Sequence, residues 1–87
     1  MGIVHSSAKG NIGTEVLQVK ESSTADTAEI KPNDIILEMD GDKITGYEAF
    51  ELTLNKRAVH SYVHLIILRK NKRISVNCMV DNYPETY

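Results

Sequence analysis

The chain has 87 residues, 41% of them hydrophobic, with 10 Lys+Arg against 12 Asp+Glu and a net charge of −2. That length predicts one domain with a small core and excludes a multidomain enzyme with its own cofactor domain. The charge balance argues against disorder and against a basic nucleic-acid-coating surface, and no apolar run approaches the ~18 residues that a membrane span needs.

From the N-terminus, Met1-Gly2-Ile3-Val4-His5 is a short apolar start interrupted by glycine, and no basic region precedes it. An export signal is therefore expected to lie outside this chain. Ser6 to Gly13 reads as loop from its small, polar, glycine-bearing composition. Thr14 to Lys20 reads as a strand through Val16, Leu17 and Val19. Ser22 to Ile30 has the pattern of one capped helical turn. Ser22 or Ser23 can accept from a free first-turn N–H, Asp26 suits the helix dipole, and Ala25 and Ala28 form a small-residue face. In Lys31-Pro32-Asn33-Asp34, Pro32 presets φ near about −65° and Asn33 tolerates the left-handed conformation that follows, so Asn33 is expected at positive φ.

Ile35 to Met39 is then expected as a buried strand, closed by the tight turn Asp40-Gly41-Asp42, with Lys43-Ile44 at most a short return strand. Tyr47 to Lys56 is the one strong helix: Tyr47, Phe50 and Leu54 fall on one stripe, acidic residues come early and Lys56-Arg57 come late. Tyr62–Arg69 and Arg73–Val80 read as a hairpin across Lys70-Asn71-Lys72. The first strand is expected to be buried on both sides; the second places Ile74, Val76, Cys78 and Val80 on one inward face. Asp81 to Tyr87 is a polar tail. The order predicts an α+β fold over residues 1–80: a half-open antiparallel β-barrel of five to six strands with two helices.

Chemistry-bearing residues are sparse. Through Asn55 there are 4 basic and 10 acidic residues, whereas Lys56 to Val80 holds 6 basic and no acidic ones. Arg69, Lys70, Lys72 and Arg73 cluster at the hairpin tip, where solvated charge normally sits, and no aromatic residue lies between them to stack a base. His60 and His64 have helical ligand spacing, but His64 lies in a strand-like run with no carboxylate near it in sequence, short of the ligand set zinc requires. No nucleophile setting of the G-x-S-x-G type occurs. Asp40 and Asp42 flank a glycine without the other ligand positions of a calcium loop. Cys78, the single cysteine, excludes an internal disulfide framework and reads as a small hydrophobe. Met1-Gly2-Ile3 is more suggestive, because glycine between two apolar residues lets successive amides converge on an anion. A strand that follows such a nest at a sheet edge can accept an extended peptide.

Together these pieces resemble a PDZ domain of the bacterial, circularly permuted kind found in HtrA-type trypsin-like serine proteases. The resemblance runs from residue 1 to about 80. It rests on Met1-Gly2-Ile3, on Ser23, Ala25, Ala28 and Ile30, on Lys31-Pro32 and Asp34-Ile35-Ile36-Leu37, on Asp40-Gly41, on Phe50 and Leu54, and on the final hairpin. Thr24 stands where the family has proline, Glu29 and Asn33 where it has glycine, and Tyr47 where one class of these domains opens the helix with His. The resemblance implies a PDZ-like fold and a binding module rather than an enzyme, with no cofactor, metal, nucleic acid or membrane insertion. Its ligand would be an extended, apolar protein C-terminus added beside the strand from Ile3, opposite the helix from Tyr47. The amides of Gly2 and Ile3 would hold the terminal carboxylate, and Met1, Ile3, Phe50 and Leu54 would shape the pocket for the last side chain. Val4 belongs to the accepting strand, and His5 and Tyr47 would contact upstream positions. The parent is expected to be an envelope or secreted protease whose catalytic domain is a second partner. The alternative is an assembly domain whose groove is filled by its own chain or by a partner subunit.

Overall fold

Two tight turns set the register of the sheet. At Asp40-Gly41 (φ 52° and 89°) and at Lys70-Asn71 (φ 51° and 66°), both central residues are left-handed. That geometry matches the twist of flanking antiparallel strands, and Asn, Asp and Gly adopt it most readily. In the computed structural model, which describes residues 1–81, these turns join β3 (Ile35–Met39) to β4 (Asp42–Lys43) and β5 (Tyr62–Arg69) to β6 (Lys72–Met79). With β1 (Ile3–Ser7) and β2 (Thr14–Val19) they make one six-stranded antiparallel sheet in the order β1-β2-β3-β5-β6, with β4 appended to β3. The sheet does not close, so β1 and β6 remain its edges. The fold is the expected half-open α+β arrangement.

The two helices sit at opposite edges. α1 (Thr24–Thr27) packs against β6, and α2 (Tyr47–Asn55) packs against β1. Ser23 caps α1 by accepting from the Asp26 N–H at 3.2 Å, and Ala25 is the buried face of that turn. Phe50 and Leu54 anchor α2 in a core built from Val16, Ile36, Met39, Val63, Leu65, Ile67 and Val80. Removing side chains of this kind from water contributes about 1.5–3 kcal/mol each. The turn at Lys31–Asp34 is held by the buried Asp34 carboxylate, which accepts from Arg69 Nε (2.8 Å) and Nη2 (2.7 Å) and from the Lys31 N–H (2.9 Å).

Two expectations about the elements are corrected. Ser6 and Ser7 are strand, not loop, because they pair with Glu15 and Thr14 through backbone alone; side-chain composition carries no trace of that. β5 is not buried on both sides: Tyr62 and His64 face solvent while Val63, Leu65 and Ile67 face the core. Of the polar tail expected over 81–87, only Asp81 is described, and it accepts from the Met1 amine at 2.7 Å; the rest lies outside the described residues.

Candidate functional site

Because β1 is an edge strand, half of its backbone groups lack a neighbouring strand. The Lys20 N–H donates to the Gly2 carbonyl at 2.7 Å, which makes Ile3 and Val19 a non-hydrogen-bonded pair. The N–H and C=O of Ile3 therefore point away from β2, toward α2. Gly2 stands at φ 77°, and a Cβ there would lie 2.4 Å from Ser23 Cβ, so both its conformation and its space require glycine. The turn at Gly2 brings this unpaired edge to the mouth of a cleft between β1 and α2.

The cleft has a volume of about 250 Å³ and is lined by Met1, Gly2, Ile3, His5, Phe50, Glu51 and Leu54. Six of the eight residues singled out from the sequence thus converge on one site. The other two do not line it. Val4 is 53% exposed and points to the opposite face of β1, as the alternation of a strand requires. Tyr47 lines an adjacent hollow with Ser7, Thr45 and Gly46, yet its ring stacks on His5 at 4.4 Å between centroids. A larger hollow of about 500 Å³ lies on the outer side, along Val4, Gln18, Lys20 and Glu21. Gly2, Ile3 and Val19 also line it, but neither helix does, so it has no wall opposite β1.

His5 is the floor of the cleft. It is only 8% exposed and lies edge-on to Phe50 at 4.6 Å. Its Nδ1 lies 2.7 Å from Thr14 Oγ1 and its Nε2 lies 2.7 Å from Glu51 Oε2. The Glu51 carboxylate can only accept, so His5 Nε2–H donates to it, and Nδ1 of the neutral imidazole accepts from the Thr14 hydroxyl, which also lies 3.1 Å from the Ser6 carbonyl. The imidazole thereby ties β1, β2 and α2 together. At the far end, the Tyr47 N–H donates to Ser7 Oγ at 2.8 Å, and β1 and the start of α2 touch directly. Glu51 and Thr14 escaped the sequence reading. Their partnership with His5 spans 46 and 9 residues, and the only available signal was that Glu51 sits between Tyr47 and Leu54 on the same helix flank.

Elsewhere, His64, Ser75 and Asp40 come together, with His64 Nε2 hydrogen-bonded to Ser75 Oγ. Asp40 supplies the carboxylate that sequence proximity did not reveal, but it accepts from the His64 backbone N–H (2.8 Å) and from Arg57 Nε (2.8 Å), so its recorded contact is not to the imidazole. Ser75 lies mid-strand in β6, without the strained turn and converging donors of an acyl-transfer site. The backbone N–H of His64, with help from Arg57, holds the Asp40 carboxyl below its ordinary value of 3.8. Burial pushes the Cys78 thiol up, away from the reactive thiolate. Among the described residues no cluster of three or more His, Cys, Asp or Glu side chains could hold a metal.

The model of the PDZ domain family matches residues 1–80. No curated protein matches the chain. Three of the solved structures similar to it illustrate the likeness. One is the HtrA-type protease AlgW with a decapeptide, at 15% identity and TM-score 0.87, over 98% of this chain and 29% of that one. An aminopeptidase N family protein from Idiomarina loihiensis is similar at 18% identity and TM-score 0.82, over 92% of this chain and 13% of that one. The serine endoprotease from Yersinia pestis is similar at 21% identity and TM-score 0.79, over 93% of this chain and 28% of that one. This chain therefore spans less than a third of each of these three.

Proposed function

The chain belongs to the PDZ domain family, whose members are binding modules and not catalytic units, and from that premise we propose that it captures an extended, apolar protein C-terminus by strand addition to β1. The observation that carries this reading is the coincidence of an unpaired backbone edge at Ile3 with a largely apolar cleft beside it. Main-chain hydrogen bonds supply affinity in this mode, and side-chain pockets supply specificity. The terminal carboxylate sits at the amides of Gly2 and Ile3. The last side chain enters among Met1, Ile3, Phe50 and Leu54, and His5 and Tyr47 meet the chain upstream. Val4 contributes backbone only, since its side chain faces away.

The parent chain, on this reading, is a protease that uses the domain to recruit or sense protein termini. Two of the similar structures are HtrA-type or serine proteases and one is an aminopeptidase N family protein, so the fold alone does not select the catalytic chemistry. The test is direct. A C-terminal peptide library on the isolated domain identifies the best ligand, and that ligand is then compared as free acid and as amide. Charge-assisted hydrogen bonds contribute about 1.5–3 kcal/mol, so amidation is expected to weaken binding about tenfold to a hundredfold. Equal binding of the two forms would replace this reading with an assembly domain whose groove is filled by its own chain or by a partner subunit.

A further inference from the structure

We infer that Glu51 makes this groove select a cationic side chain at the third residue from the ligand's C-terminus; the inference rests on the peptide-binding reading above. With the carboxylate at Gly2 and Ile3, the peptide runs antiparallel to β1. Successive side chains alternate, so the third residue from the end faces the same way as the last one, about 7 Å further along the strand. Two residues along β1 from Ile3 is His5, whose ring contacts Glu51, Tyr47 and Phe50. The third side chain therefore arrives over His5 and beside the Glu51 carboxylate. Glu51 spends Oε2 on His5, its side chain remains 40% exposed, and Oε1 has no hydrogen-bond partner among the described residues. Glu48, exposed on the preceding turn of α2, adds a second negative charge on the upstream side. No Lys or Arg lines the cleft. Beyond this position the Tyr47 N–H to Ser7 Oγ bond joins the start of α2 to the end of β1.

The experiment uses three free-acid peptides with the library's best terminal residue, differing only in Lys, Ala or Glu at the third position. Their affinities are measured by fluorescence anisotropy against the wild type and Glu51→Gln, with a melting curve for each protein. A half-exposed ion pair contributes modestly, so the Lys peptide is expected to bind about three- to tenfold more tightly than the Glu peptide, with Ala between. Glu51→Gln should bring the Lys-to-Glu ratio close to one. Should Gln prove to destabilise the domain, the same ratio in wild type should fall toward one as salt is raised to about 1 M, where the Debye length is near 3 Å. Three equal affinities, or a Lys preference that survives Glu51→Gln in a folded protein, would overturn the assignment while leaving peptide binding standing. Failure of all three peptides to bind would overturn both.

Discussion

Asn33 stands at φ 78° as the third residue of a turn closed by the Asp34 N–H to Lys31 carbonyl bond at 3.2 Å, with Pro32 before it. That is the turn type that demands a left-handed residue, and asparagine is the non-glycine side chain that accepts it at least cost. Asn33→Gly is expected to be neutral or mildly stabilising in urea melts, because the backbone bond from the Asn33 N–H to the Val16 carbonyl (2.7 Å) survives the change. Asn33→Val should cost about 1 kcal/mol or more, since a β-branched residue resists positive φ. Asp40 raises a different question at the same scale. Its carboxyl titrates below 3.8, first through the His64 N–H and then through Arg57. A group whose folded pKa is depressed stabilises the native state above its unfolded value, and that stability is lost as the pH falls through the folded value. Asp40→Asn keeps a side chain that tolerates φ 52° and an acceptor for the His64 N–H, while it removes the charge and the oxygen that accepts from Arg57. The variant should therefore be less stable than wild type at neutral pH, and the gap should narrow below pH 3.8. A constant gap across that window would show that the carboxylate contributes nothing.

At the scale of elements, α2 is the wall that makes the groove, and its attachment decides which substitutions report on binding. Leu54 is 3% exposed, belongs to the core and also lines the cleft. A charged residue there buries an unpaired charge, so Leu54→Glu is expected to unfold the domain instead of selectively emptying the pocket. Leu54→Ala should cost about 2–5 kcal/mol, read as a shifted denaturation midpoint. The helix itself was legible, because Phe50 and Leu54 repeat on one face and acidic residues precede basic ones. The hairpin tips were legible too, since Asp40-Gly41 is a pair that left-handed turns favour and Asn71 supplies one such residue at the second tip, although Lys70 before it does not. What the sequence could not carry is contact across long separation. His5 reads as an ordinary polar end to an apolar run until Thr14 and Glu51 are folded against it. Tyr62 and His64 sit in an apolar stretch whose outward face is only partly covered, which masks the alternation of β5.

For the whole molecule, the Met1–Ile3 segment, α1 and the β1 edge form one mechanical unit, and Gly2 is where they meet. The Met1 carbonyl accepts from the Ala25 N–H at 3.1 Å, the Gly2 carbonyl accepts from the Lys20 N–H at 2.7 Å, and Ser23, the cap of α1, lies directly over the Gly2 Cα. Alanine at this position would suffer two separable penalties. The left-handed backbone (φ 77°) costs about 1–2 kcal/mol for an L-residue, and the 2.4 Å approach to Ser23 Cβ forces α1 or the loop to move, at a further ~1–3 kcal/mol. Gly10 supplies the control, because it has nearly the same φ, 76°, with nothing within 4 Å of an added Cβ. Gly10→Ala should therefore show the conformational penalty alone. At roughly 4–8 °C per kcal/mol for a domain of this size, Gly2→Ala is expected to melt about 8–40 °C below wild type and Gly10→Ala about 4–16 °C below. The two should also differ in function. Displacing the loop turns the Gly2 and Ile3 amides away from a ligand carboxylate, so Gly2→Ala should weaken free-acid peptides far more than their amides, while Gly10→Ala leaves that ratio as in wild type. If both variants lost the same stability and kept the same acid-to-amide ratio, then Ser23 would not be constraining the loop, and the coupling between α1 and the groove would have to be abandoned.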